Sequence, residues 1–219
     1  MNLEKSMAFL RQLNQNNSKE WMDENKSIYN EAKLEFLEFV ARVITEVSNF
    51  DPTIESAEPK KSIFRINRDV RFSKNKQPYK NNFGMALAEG GRNSGNPIYY
   101  FHLQPHGESM VAGGIYQPEA EVLKKIRQEI DYNPHDLKAV IEKTTFREEF
   151  GALAGEKLKL APKGYPKDHP NVELLKHKSF VGIRKLNDKQ IASSSLISEV
   201  SKAFEAVYPL NQYLSVAIS

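Results

Sequence analysis

Between Arg65 and Lys80 the chain reads RINRDVRFSKNKQPYK, and its charged side chains are spaced to grip an anion. Guanidinium forks hold phosphate or carboxylate through two parallel hydrogen bonds, which an ammonium group cannot reproduce. Read as a strand, Ser62 to Phe72 sorts onto two faces by alternation. Phe64, Ile66, Arg68, Val70 and Phe72 share one; Ile63, Arg65, Asn67, Asp69 and Arg71 share the other. Arg65 and Arg71 then converge on one ligand, with Asp69 beside them to orient an arginine, ligate a hard cation or act as a base. Past Phe72 the alternation breaks, and a loop is expected to carry Lys74, Lys76, Tyr79 and Lys80 toward the same site. The competing reading is a solvated strand face in which Asp69 only neutralises Arg71. If its apolar neighbours are buried, Arg68 requires a carboxylate or backbone carbonyls at its head group, because an unpaired buried guanidinium is very costly.

Charge distribution supports the anion reading. Eight cations stand against Asp69 alone from Lys60 to Lys80, a local +7 in a chain whose total is +3, which leaves −4 for the remainder. The total is too small to argue for nucleic acid, but a local positive field concentrates anionic ligands.

A second constellation lies in APKGYPKDHP, residues 161–170. Lys163 is a further candidate ligand cation. The adjacent Asp168 and His169 suit a general acid or base in an irregular loop. The plainer reading has them satisfying backbone groups in a proline-rich turn. If this loop folds over the basic strand, Asp69, Asp168 and His169 share one cleft with the arginines. Other chemistries find less support. His102 and His106 stand four apart, but Pro105 and the strand pattern exclude a helical metal pair, and no zinc spacing occurs, so no metal site is expected. Tyr99, Tyr100 and Phe101 are either a platform for stacked bases or a strand whose alternate residues, Tyr99, Phe101 and Leu103, enter the core. Gly113-Gly114 marks a bulge or a close approach to a ligand or neighbouring strand. There is no Walker loop, dinucleotide fingerprint or nucleophile elbow, so no cofactor is named. The absence of cysteine excludes disulfides, thiolate nucleophiles and iron–sulfur clusters.

The elements that must position these residues follow from periodicity. Phe9, Leu10 and Leu13 mark a first helix. Asn16-Asn17-Ser18 offers a cap, and a long amphipathic helix is predicted from Trp21 to Val47. Pro52 and Pro59 bracket a loop. Residues 97–104 and 109–116 flank a Pro/Gly turn and read as a hairpin, with a further strand over 85–89. The last half reads as mostly helical: helices after Pro118 and Asn133, another over 146–153, and one capped by Ser193-Ser194-Ser195 that Pro209 ends. Helices, antiparallel strands and helices in succession predict α+β. The expected fold is a central antiparallel sheet including a hairpin, packed against N-terminal and C-terminal helices in a single domain over 1–219. Such a length lies within the single-domain range, and 40% hydrophobic with 27% charged residues is a globular composition. No apolar run approaches the roughly 18 residues of a spanning helix. The first residues lack the apolar centre of a signal peptide, so a cytoplasmic protein with no membrane partner is expected.

Arg65-x-x-Arg68-Asp69-x-Arg71-Phe72-x-x-x-Lys76-x-x-Tyr79 resembles the signature of a bacterial family, domain of unknown function 2461. NNSKEWM near the start, YYFHLQP and GGIYQP in the middle, APKGYPKDHP and YPLNQYL later extend the resemblance over nearly the whole chain. It implies one folded unit of about this length and carries over no catalytic residue. Three function classes follow from the residues themselves. The first is binding of a phosphorylated or carboxylated small molecule. The second is an enzyme on such a substrate, with Asp69 or Asp168/His169 as acid or base. The third is nucleic-acid binding through the basic strand and tyrosines. A concave pocket of small-molecule size would favour the first, and a long open basic groove the third.

Overall fold

Ser18 opens the second helix as its residue type predicts: in the computed structural model, which describes residues 2–219, its hydroxyl accepts from the Trp21 amide at 3.2 Å. Helix α1 (Glu4–Gln15) precedes it and buries Phe9, Leu10 and Leu13. The single helix predicted from Trp21 to Val47 is two, α2 (Lys19–Glu24) and α3 (Lys26–Ser48). Asn25 makes the break. Its side-chain amide donates to the Trp21 carbonyl at 2.8 Å, the carbonyl that its own backbone N–H also uses. Short polar side chains compete with the helical ladder in this way. Pro52 and Pro59 each open a short helix rather than bracket a loop, a 3-10 turn at Pro52–Ile54 and α4 (Pro59–Ser62). A first-turn position suits proline because no helical bond needs its missing N–H.

Four strands, β1 (Phe83–Leu87), β2 (Ile98–Leu103), β3 (Ser109–Ile115) and β4 (Phe180–Leu186), form one antiparallel sheet in the order β1-β2-β3-β4. The β2–β3 hairpin turns through His106 (φ 69°) and Gly107 (φ 73°), the left-handed pair that suits strand twist. Burial alternates along β2, with Tyr99, Phe101 and Leu103 inside. The aromatic run is therefore core, as its alternation allows, and not a platform.

Two strand expectations need correction. Ser62 to Phe72 forms no regular strand; it makes isolated bridges, Ile63 with Met85 and Asn67 with Tyr79. Four residue steps separate the first partners and six the second, so a ladder cannot stay in register. β4, conversely, lies in the half read as mostly helical. Its first three residues are all buried, so it lacks the period-two signature of a half-exposed strand.

The remaining helices are α5 (Ala120–Tyr132), α6 (Pro134–Glu142), α7 (Thr144–Phe150), α8 (Val172–Leu175), α9 (Asp188–Ile191) and α10 (Leu196–Ile218). The helix read over 146–153 ends earlier, at Gly151, whose φ of 71° suits a glycine. Pro209 lies inside α10 instead of ending it. Val207, Leu210 and Leu214 are fully buried around it, and that burial outweighs the roughly 3 kcal/mol an interior proline costs.

Two compact units divide the chain. The first holds the chain up to Leu87 with Tyr100–Val111 and Lys185–Lys202; the second holds Ala88–Tyr99, Ala112–Arg184 and Ala203–Ser219. In the first, N-terminal helices meet the sheet through aromatic rings. Phe9 stacks on Phe83 at 5.9 Å, and Phe39 lies 4.8 Å from Phe101. In the second, Tyr99 meets Phe204 of α10 at 5.3 Å. A Cβ on Gly113 would enter Val207, and one on Gly114 would strike the Phe180 carbonyl. The glycine pair thus serves close approach by α10 and β4. The class is α+β, as predicted.

Candidate functional site

The basic segment belongs to the first unit. Its two arms are joined by backbone bonds from Phe64 to Gly84 (2.9 Å), Arg68 to Pro78 (2.8 Å) and Lys80 to Ile66 (2.8 Å). Asn17 completes the arrangement. Its carboxamide donates to the Tyr79 carbonyl and accepts from the Tyr79 N–H, both at 3.1 Å, and so stands in for a neighbouring strand. Tyr79 is only 8% exposed. Burial holds its hydroxyl pKa above the ordinary tyrosine value, with Asp23 and Glu20 adding to the effect.

Between the arms, residues 69–77 form a loop tied by its own polar groups. Half-buried Arg68 donates to the Gln77 carbonyl at 3.2 Å and to the Ser73 hydroxyl at 3.3 Å. Lys76 donates to the Val70 carbonyl at 3.1 Å, and Asn75 accepts from the Gln77 amide at 2.9 Å. Arg71 grips Asp69 with two guanidinium nitrogens, at 2.6 and 3.0 Å, and its backbone N–H reaches the same carboxylate at 3.2 Å. These bonds hold the Asp69 carboxyl below the usual carboxylate range, and the Arg65 charge adds a smaller push. The Arg71 fork is therefore directed at Asp69.

What faces water is distinct from what ties the loop. Arg65 and Lys74 are exposed and enter no hydrogen bond or ion pair among the described residues. Phe72 is 95% exposed, with the Arg71 guanidinium 5.9 Å from its ring centre. Placing Phe72 on an apolar face is thus overturned; the extended backbone has already turned away from the sheet there. Lys80 reaches over the Phe64 ring at 5.6 Å.

The loop 161–170 belongs to the second unit. His169 Nδ1 accepts from the Asn171 amide at 3.0 Å, so its proton sits on Nε2 and is donated to Asp131 of α5 at 2.9 Å. Tyr165 presents its ring to His169 edge-on at 6.0 Å. The histidine's partner is Asp131, not the adjacent Asp168, which is exposed together with Lys163. Arg127, also on α5, donates to the Leu175 carbonyl at 2.9 Å and the His177 carbonyl at 3.3 Å. The loop and the residues after it are fastened to α5.

One network escaped the sequence reading. On the other face of β2, in the first unit, the Tyr100 hydroxyl meets His102 Nδ1 at 3.0 Å and His102 Nε2 meets the Gln104 side-chain oxygen at 2.9 Å. The glutamine oxygen accepts, so Nε2–H donates to it and Nδ1 accepts a hydrogen bond from the Tyr100 O–H. Burial lowers the His102 pKa and raises that of Tyr100. A Cβ on Gly84 would come within 3.2 Å of the Tyr100 hydroxyl and 3.3 Å of Phe64. The available signal was polar residues at period two opposite Tyr99, Phe101 and Leu103. Among the described residues no group of three or more histidine and acidic side chains gathers to hold a metal ion.

A family model described as a conserved hypothetical protein (DUF2461) matches residues 5–213. No curated protein and no solved structure matches the chain.

Proposed function

We propose that this chain, which belongs to the conserved hypothetical protein family DUF2461, binds a phosphorylated or carboxylated ligand on the surface formed by residues 65–80. The observation that carries the reading is the pair of exposed cations, Arg65 and Lys74, left unbonded beside a loop whose other charged groups are committed to its own shape. Lys80 lies on the same segment. The cytoplasmic setting expected for the chain is one rich in phosphorylated ligands.

A catalytic role for Asp69 draws less support from the geometry. Its carboxyl is held ionised by Arg71, so it has no proton to give near neutral pH and is a weak base. His169 has both ring nitrogens engaged. Binding, rather than proton transfer, is what the arrangement serves best.

A thermal-shift series with phosphorylated and carboxylated compounds tests this. A ligand that binds only the folded state raises the melting temperature with concentration. Wild type should shift, and the Arg65→Ala/Lys74→Ala double variant should not. Equal shifts in both would remove the surface from consideration.

A further inference from the structure

Resting on the anion-binding reading, the shape of the loop narrows the class of ligand. Small-molecule sites are concave and enclose most of their ligand. Here Asp69, Arg71, Phe72 and every residue from Lys74 to Gln77 are exposed, so the tip offers a face and no walls. Such a face suits an extended ligand that lies across it. Phe72 stands at the tip, 95% exposed, and the bonds made by Arg68, Asp69 and Lys76 fix the backbone that presents it. Its ring is flat and apolar, with the Arg71 guanidinium 5.9 Å from its centre and Arg65 and Lys74 on the same segment. The chemical complement is a chain that alternates phosphates with flat aromatic rings.

We infer that residues 65–80 bind single-stranded nucleic acid, with one base stacked on Phe72 and the flanking phosphates on Arg65 and Lys74. Base–aromatic stacking tolerates any sequence, because every base has a π face, and cations that meet the phosphates supply the salt-dependent remainder. An anionic membrane also attracts cations, but a membrane-seeking surface carries several apolar side chains. No other residue between 65 and 80 is among the exposed large hydrophobics. Arg68 touches no ligand here; it is a positioning residue that holds the tip in shape.

The test compares a short fluorescein-labelled oligothymidylate with an abasic oligomer of the same length, by fluorescence anisotropy on the full chain. Wild type should bind the base-bearing strand about tenfold more tightly than the abasic one, the scale of one stacked base. Phe72→Ala should erase that difference and leave abasic binding unchanged. Its ring is outside the core, so the variant folds. Arg68→Ala should shrink the difference, and Arg68→Lys should restore little of it, since an ammonium cannot hold both acceptors. Equal affinity of wild type for the two strands, or an equal loss of both with Phe72→Ala, overturns the stacking inference and leaves anion binding intact. Binding to neither strand overturns the nucleic-acid inference, while the thermal-shift series with phosphorylated and carboxylated compounds decides the anion-binding reading separately. Phe72-dependent binding to phosphatidylcholine–phosphatidylserine vesicles without binding to either strand overturns the nucleic-acid assignment in favour of a membrane.

Discussion

Residues 65–80 and residues 161–170 share a vocabulary: lysines, a proline, an aspartate and a tyrosine in irregular backbone. They use it differently. In the second, the side chain that looked most reactive, His169, is consumed by structure, with one nitrogen on a backbone amide and the other on Asp131. In the first, Arg68, Asp69, Arg71 and Lys76 hold the loop to itself, while Arg65, Phe72 and Lys74 remain turned to water. The difference teaches that a cluster of chemical residue types becomes a site only through the groups its own fold leaves unused. A partly buried histidine with two partners is scaffold. An exposed aromatic on a loop braced by four charged neighbours is presentation.

The largest expected effect strains the scaffold region. His177, just beyond α8, has its pKa lowered to about 4, chiefly by burial, with Lys157 adding and Glu173 opposing. The unfolded chain, with an ordinary histidine pKa of about 6.5, therefore binds this proton first. Stability is full above pH 6.5, falls as pH drops, and the loss is complete near pH 4. That gap corresponds to about 3 kcal/mol. Urea unfolding at pH 7 and pH 4.5 checks it, and His177→Gln should flatten the dependence. An equally steep loss in the variant would assign it to other groups.

Next, His169→Ala should cost about 1–3 kcal/mol, because it strands the Asn171 amide and the Asp131 carboxylate. Arg71→Ala should cost clearly less than His169→Ala, since exposed ion pairs contribute little. Similar losses in the two variants would break the comparison. The smallest global effects belong to the loop tip. Arg68→Ala should lower stability by about 1 kcal/mol or less yet speed hydrogen exchange across residues 69–77. Phe72→Ala should leave stability within about 0.5 kcal/mol and exchange unchanged. A destabilised Phe72→Ala would mean that the ring serves the fold after all.

The sequence carried some of this openly. Of the acceptors expected at the Arg68 head group, one backbone carbonyl, that of Gln77, is there, although the apolar face assumed around it is not formed. Capping by Ser18, the β2–β3 hairpin and the inward face of β2 were readable because each depends on local chemistry and spacing. What stayed hidden depends on distant partners. Asn17 read as a cap, yet its amide pairs with Tyr79 across sixty-two residues. Asp131 gave no sign of meeting His169. β4 hid because burial on both faces over its first three residues erases alternation there, and Pro209 misled because local propensity yields to tertiary burial. At the candidate site, residue types suggested an anion, but which arginine Asp69 would take, and that Phe72 would face water, required the fold.

The account is tested most directly by the salt dependence of oligothymidylate binding in wild type and in the Arg65→Ala/Lys74→Ala variant. Each phosphate contact contributes about 0.7 to the slope of log affinity against log salt for a single strand. Removing both cations should therefore reduce the slope by about 1.4, with weaker binding at every salt concentration. An unchanged slope, or no binding by wild type, would contradict the claim that Arg65 and Lys74 hold the phosphates of a single strand.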